Sequence, residues 1–222
     1  MSAVRTILMK DLRIELRTLQ SLPAMALFAV TTFVIFRFGL DRTSLEGSLA
    51  AGVLLVTVLF AALLAINRLF VAERDEGGFD AIRLAPVEAT SLFIAKVLAL
   101  FVYLTILEAV ALPVFAGFFL DDVSGLLPVA GILLLVNLGF AATGAVVSTM
   151  GANSRARDLL TPLVLLPLLI PLMIAAAGAC ELLLAAGGPE YDGVPKWALT
   201  LGLYDAVFLL VGYAVYDFLI ED

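Results

Sequence analysis

The stretch that decides the fold is Leu126–Met150, which reads LLPVAGILLLVNLGFAATGAVVSTM. A helix crosses the hydrocarbon core of a bilayer with about 20 mostly apolar residues. This segment is longer than that and contains no Asp, Glu, Lys or Arg. It therefore predicts a membrane-spanning helix.

Apolar runs of similar length occur on both sides of this segment. With 63% hydrophobic and 15% charged residues and a mean hydropathy of +1.11, the chain is far more apolar than a soluble domain. We therefore predict an all-α integral membrane protein with six spans, forming one transmembrane domain over residues 1–222. The other five runs are residues 22–40, 49–70, 97–120, 159–184 and 197–220.

The composition also argues against several classes of function. A net charge of −7 makes nucleic acid an unsuitable partner. The chain has no histidine and a single cysteine, Cys180, so it lacks the commonest metal ligand and any intrachain disulfide. It contains no G-x-x-x-x-G-K-[ST] phosphate loop, carboxylate pair or nucleophile elbow. We expect a non-catalytic membrane protein.

The distribution of basic residues predicts the orientation, because short cytoplasmic connections are enriched in Lys and Arg. Ten of the 13 basic residues lie in the N-terminal tail or in the second and fourth connections, whereas Arg37, Arg42 and Lys196 lie on the other side. We therefore expect a multi-pass inner-membrane protein with both termini in the cytoplasm. The ten are Arg5, Lys10, Arg13, Arg17, Arg68, Arg74, Arg83, Lys96, Arg155 and Arg157.

Residues 4–19 have the pattern of an amphipathic helix. Apolar residues form a stripe along one face, and the basic residues of the tail lie off this stripe. We predict an interfacial helix within residues 1–20, lying at the cytoplasmic surface with its basic side chains toward anionic headgroups. The alternative is an ordinary cytoplasmic extension of the first span. The stripe consists of Val4, Leu8, Leu12, Leu16 and Leu19.

The longest cytoplasmic connection, residues 67–96, contains the segment ERDEGGFDAIRLAP at residues 73–86. Its two adjacent glycines permit a sharp turn, and Pro86 ends any helix. Phe79 and Ile82 form a small apolar face at i, i+3. From these residues alone, docking into a partner's groove and a solvated loop with a surface aromatic are equally good interpretations.

Ionisable residues inside spans are functional hypotheses by default, because charge in hydrocarbon is costly. Glu108 lies near the middle of the third span and Asp205 inside the sixth, whereas Arg37 is near the outer end of the first and is expected to reach toward the interface. Glu108 is the strongest candidate for a pathway or inter-subunit role. The alternatives are a neutral, hydrogen-bonded Glu108 or a pair with Arg37.

The fifth span contains Pro162, Pro167 and Pro171. Each proline removes a backbone donor, so we expect a kinked or broken helix. The moderately apolar stretch 180–195 that follows is consistent either with a helix that dips into the outer leaflet and returns or with a plain periplasmic loop.

Several motifs together resemble the CcmB family, the permease subunit of the bacterial haem-exporter complex in cytochrome c maturation. The strongest match is RARD at 155–158 running into LPLLIPL at 166–172, and chain length also agrees. The other matches are KDLRIELR at 10–17, Asn67 and Arg68 followed by ERDEG at 73–77, and LAPV at 84–87 with Lys96 ten residues after Pro86.

This resemblance implies an ABC-2-type exporter permease paired with a separate ATP-binding cassette subunit, with further haem-handling membrane subunits and two copies of this chain per complex. Residues 73–84 would then be the coupling helix that docks on the ATPase. No cofactor is expected on this chain alone, and haem is a transported or handled ligand of the complex. The implied docking residues are Glu73, Arg74, Glu76, Gly77, Phe79, Ile82 and Arg83, with Arg155, Arg157 and Asp158 in the second cytoplasmic loop.

Three other functions stay open from the sequence. The chain is alternatively the permease of another ABC-2-type exporter for a lipid, polysaccharide or drug. A secondary carrier would couple transport to an ion through Glu108 and Asp205, although no inverted repeat is visible. A structural scaffold for other membrane subunits is the third alternative.

Overall fold

The computed structural model describes residues 3–19, 21–40, 42, 44–75, 88–150 and 157–221. This part of the chain contains seven α-helices and no strand. In chain order they are α1 (Ala3–Thr18), α2 (Ser21–Gly39), α3 (Gly47–Asp75), α4 (Ala89–Phe119), α5 (Leu126–Met150), α6 (Arg157–Leu183) and α7 (Val194–Glu221).

The six helices α2–α7 are each long and apolar enough to cross a membrane. The chain is therefore a multi-pass α-helical membrane protein, which confirms the predicted fold class. The predicted N-terminal helix is also present as α1, directly before the first span.

Helix α5 occupies the centre of the bundle and contacts α3, α4, α6 and α7. Every residue from 139 to 149 on this helix is buried. Small side chains dominate this stretch, and helices approach one another closely in a membrane where such residues meet. At Gly144, for example, the side chain of Ile66 from α3 packs where a Cβ would lie.

Three short loops meet at one end of the bundle, which we call the outer end. The amide of Leu45 donates to the carbonyl of Phe119 (2.8 Å), and the amide of Gly47 donates to that of Leu184 (2.5 Å). The carbonyl of Leu183 fills the space that a Cβ on Gly125 would need. The start of α2 and the end of α7 therefore lie together at the opposite, inner end, where α1 also lies.

Helix α4 begins at Ala89, eight residues before the predicted start of the third span. Its 31 residues correspond to roughly 46 Å, more than the ~30 Å hydrocarbon core. Lys96, which we assigned to the cytoplasmic connection, lies inside this helix with 2% relative exposure. That assignment of Lys96 is wrong, and its burial is explained by Asp11 on α1, described below, which pairs with it.

We expected a kinked or broken helix at Pro162, Pro167 and Pro171. Helix α6 continues without interruption through all three, so the break is absent and the kink stays a prediction. In hydrocarbon no water competes for the remaining backbone groups, and neighbouring helices support a proline-containing helix. The three prolines are therefore accommodated within one span.

The stretch between α6 and α7 is a plain loop at the outer end, and the alternative of a re-entrant helix is wrong. Helix α6 continues to Leu183, and residues 184–193 contain turns only. Gly187 and Gly188 have φ values of 87° and 117°, a region that favours glycine because it has no Cβ. The amide of Glu190 then donates to the carbonyl of Leu182 (2.9 Å) and returns the chain to the bundle.

Candidate coupling face and buried polar groups

The predicted coupling segment follows directly from α3 at the inner end. Glu73 and Arg74 lie in the last turn of α3, and their side chains are outside the described part. The other docking residues lie outside the described residues altogether, so their role stays a prediction. They are Glu76, Gly77, Phe79, Ile82 and Arg83.

The loop predicted to be the second cytoplasmic one joins α5 to α6 at the same end. Arg157 and Asp158 belong to the first turn of α6, with side chains outside the described part, and Arg155 lies outside the described residues. Both predicted partner-docking segments are therefore attached to helix ends at the inner end of the bundle.

Helix α1 packs along α4 at the inner end. The predicted apolar stripe divides, because Leu8 and Leu12 pack against the core whereas Leu16 and Leu19 are 66% and 56% exposed. Ile7 completes the packed apolar contact. The protein-facing side of α1 also contains two carboxylates, which the stripe did not include.

The first of these carboxylates, Asp11, forms a buried ion pair with α4. Its Oδ2 lies 2.8 Å from Nζ of Lys96, and both side chains are less than 5% exposed. The Tyr103 hydroxyl, two turns farther along α4, donates to the backbone carbonyl of Asp11 (3.0 Å). Lys10 approaches Asp11 from the exposed side at 3.4 Å. Asp11 of α1 therefore contacts two residues of α4, Lys96 and Tyr103, which lie two turns apart.

The second carboxylate, Glu15, joins α1 to α2. Its Oε1 accepts hydrogen bonds from the amides of Ser21 and Leu22, each 2.8 Å long. The first amides of a helix have no partner within the helix and carry its positive dipole end, so a carboxylate is well suited to this position. Leu19 adopts a left-handed φ of 48° between the two helices.

The first turns of α4 also contact α7 through aromatic packing. The ring of Phe93 lies 5.1 Å from that of Tyr216, centroid to centroid, and covers Gly212. The Tyr216 hydroxyl accepts a hydrogen bond from Thr149 of α5 (3.0 Å). The start of α4 is therefore fixed to α1, α5 and α7 together.

Glu108 lies at the α4–α5 contact with 4% relative exposure. Nδ2 of Asn137 donates to its Oε2 (2.8 Å), whereas its Oε1 has no hydrogen-bond partner. The alternative of a pair with Arg37 is therefore wrong. Arg37 instead donates to the carbonyl of Arg42 (2.9 Å) at the outer end, as expected for a side chain that reaches the interface.

Asp205 on α7 is 3% exposed, and neither carboxylate oxygen has a hydrogen-bond partner. Its Oδ1 packs against Gly139 of α5. Asn137, which bonds Glu108, and Gly139 are two residues apart and thus face opposite sides of α5. The structure therefore separates the two acids, and the described residues contain no group of three or more potential metal ligands.

Replacing Glu108 by leucine is expected to destabilise the protein by about 1–3 kcal/mol, because it leaves the Asn137 amide buried without its acceptor. Glu108→Gln keeps a side-chain oxygen for Asn137 and is the matched control, with a change below about 1 kcal/mol. Unfolding of the purified variants in mixed micelles measures both. Equal stability of the leucine variant and the parent would show that the Asn137 contact contributes nothing.

The chain is similar throughout to one family of membrane proteins. The family model described as "CcmB protein" matches residues 2–219, and this match extends from α1 into α7. Heme exporter protein B of Bradyrhizobium diazoefficiens is 29% identical over 213 residues, which cover 88% of this chain and 87% of that protein. The Paracoccus denitrificans protein of that name is 29% identical, covering 89% of this chain and 91% of its own. The one from Rhodobacter capsulatus is 25% identical, with 78% and 80% covered.

Proposed function

This chain belongs to the CcmB protein family, and we propose that it is the membrane permease subunit of an ATP-binding cassette transporter complex that exports or delivers haem for cytochrome c maturation. The family match over residues 2–219 is the observation that carries this proposal. Relatives named Heme exporter protein B, aligned over most of their length, support it. The six apolar helices provide the expected permease body.

ATP hydrolysis belongs to a separate cassette subunit in this proposal, since the sequence contains no phosphate-binding loop. Residues 73–84 form the coupling segment that the cassette subunit contacts, with Arg155, Arg157 and Asp158 as a second contact. The attachment of both segments to helix ends at the inner end supports this assignment. Movement of the cassette subunits is transmitted to the spans as rigid-body displacement of helices.

The complex acts in the bacterial inner membrane with both termini of this chain in the cytoplasm. Ten basic residues, in the N-terminal tail, in the two inner-end connections and in the helix ends that flank them, support this orientation. Haem is the cargo or a ligand handled by the complex, and the lack of histidine fits a chain that does not ligate haem iron strongly by itself. Further haem-handling membrane subunits and a second copy of this chain complete the complex.

The test is covalent-haem staining of periplasmic c-type cytochromes in a strain that lacks this chain. Wild type is expected to restore holo-cytochromes, and a variant with Glu76→Ala and Phe79→Ala is not. The matched control removes one acid and one apolar side chain at the outer end, Asp121→Ala with Val123→Ala, both exposed residues, and is expected to restore maturation. Normal cytochromes without the chain would overturn the haem assignment.

A strain whose cassette subunit binds but does not hydrolyse ATP distinguishes the permease function from the scaffold function. The permease requires hydrolysis, so holo-cytochromes are expected to disappear in that strain. A scaffold tolerates the inactive ATPase, and mature cytochromes in its presence would contradict the permease assignment while leaving the complex intact.

A further inference from the structure

The charges of α1 are sorted between its two sides. Its only two acids, Asp11 and Glu15, are 5% and 6% exposed, although they lie on a short helix at the edge of the bundle. They are four residues apart and therefore share one face. The basic side chains Arg5, Lys10, Arg13 and Arg17 are exposed. The inward face of α1 thus presents carboxylates to its neighbours.

Each carboxylate contacts a different span. Asp11 pairs with Lys96 of α4 (2.8 Å), and Glu15 accepts from the first two amides of α2. Buried ion pairs contribute little net stability compared with apolar side chains of similar size. A buried ion pair instead constrains how the helices move, because each charged group must keep its partner during the movement. Helix α1 is therefore joined by charge to both α4 and α2.

The position of Lys96 connects α1 to the part of α4 that follows the coupling segment. Lys96 lies two turns into α4, the helix that begins directly after the connection containing residues 73–84. Tyr103, farther along the same helix, holds the carbonyl of Asp11 (3.0 Å). A displacement of the start of α4 must therefore carry α1 with it or break a buried ion pair.

We propose that Asp11, Lys96 and Glu15 are positioning residues for energy coupling, which pass a displacement of α4 at the coupling segment through α1 to the start of α2. The inference rests on the proposed function, since it requires a cassette subunit that acts on residues 73–84. In this arrangement α1 is a moving part that links two spans, in addition to being a surface anchor.

Hydrogen–deuterium exchange of the complete complex, with and without a non-hydrolysable ATP analogue, tests the proposal without knowledge of the cargo. In the parent complex, the analogue is expected to change exchange at residues 73–88 and also at residues 3–24. In the variant Asp11→Asn with Lys96→Gln, which keeps an uncharged hydrogen-bonding pair, the response at 73–88 is expected to persist. The response at 3–24 is expected to fall at least about fivefold, the lower end of coupling between sites.

Two further variants complete the design. Lys10→Gln removes the exposed basic neighbour of Asp11 and is expected to keep the parent response, because exposed pairs contribute little. Tyr103→Phe removes only the hydroxyl that holds the Asp11 carbonyl. If the amide variant fails to assemble, this variant replaces it, with at least about a twofold smaller response at 3–24 expected for a shared coupling.

A parent-sized response at 3–24 in the amide variant, or in Tyr103→Phe if that variant replaces it, would overturn the inference. So would a parent complex that responds at 73–88 but not at 3–24. A parent complex without any response at 73–88 would overturn the proposed coupling segment and the inference together. Loss of the α1 response with 73–88 intact supports both when exchange at 3–24 without the analogue stays at the parent level. A merely structural role would instead raise that exchange, and such a rise would overturn the inference.

Discussion

Replacing Lys96 by methionine is expected to destabilise the protein by about 3–5 kcal/mol, because Asp11 then remains as a buried carboxylate without its ammonium partner. The two side chains lie 2.8 Å apart and are almost fully enclosed. Methionine fills a volume similar to that of lysine, so the loss of stability is due to the unpaired carboxylate and not to a cavity. Unfolding of the purified protein in mixed micelles measures the difference from the parent.

The double variant Asp11→Leu with Lys96→Met removes both charges and is expected to recover most of that stability, because well-packed apolar side chains replace buried ion pairs at little cost. Lys10→Met is the control for loss of a basic side chain beside Asp11, and a change below about 1 kcal/mol is expected. If Lys96→Met were as stable as the parent, the pair would be an ordinary solvated contact.

The second large effect is expected at Gly212, where α7 meets the start of α4. A methyl group there would overlap the ring of Phe93, and forcing extra volume into a packed contact costs about 1–3 kcal/mol. Gly212→Ala should therefore destabilise the protein, although alanine favours helix more than glycine does. The same unfolding measurement gives the magnitude.

Gly202, on the same helix, provides the matched control. Apart from the adjoining backbone of α7, no atom of the described residues lies within 4 Å of the position that a Cβ would take there. Gly202→Ala is therefore expected to be neutral or stabilising by up to about 1 kcal/mol. Adding Phe93→Leu to Gly212→Ala makes room for the methyl group and should restore part of the loss. Equal effects at the two glycines would show that the ring contact is not the cause.

The six spans were predictable because each is an apolar run long enough to cross the membrane, and this signal is local in sequence. The ion pair of Asp11 with Lys96 was not, since its partners are 85 residues apart and each is an ordinary charged residue in its own segment. Counting Lys96 with the cytoplasmic connection missed its place inside α4. The acids at 11 and 15, spaced by one helical turn beside the apolar stripe, were the signal that was available.

The candidate site was predictable to a smaller extent. The burial of Glu108 followed from its place in an apolar run, but its partner Asn137 is a single uncharged polar residue in another span. The prolines of α6 predicted a kinked or broken helix, and the helix is not broken. Propensity describes an isolated segment, whereas the neighbours that support α6 belong to the assembled bundle.

The two ends of the bundle should tolerate sequence change differently. The outer loops are joined through main-chain amides and carbonyls, such as Leu45 to Phe119 and Gly47 to Leu184, which nearly any residue can supply. Gly125 is restricted there by the Leu183 carbonyl. The inner end is joined by particular side chains, Lys96 with Asp11 among them. Natural variants of this protein should therefore tolerate substitutions in the outer loops. At the inner end, a substitution of one paired side chain should require a compensating substitution of the other.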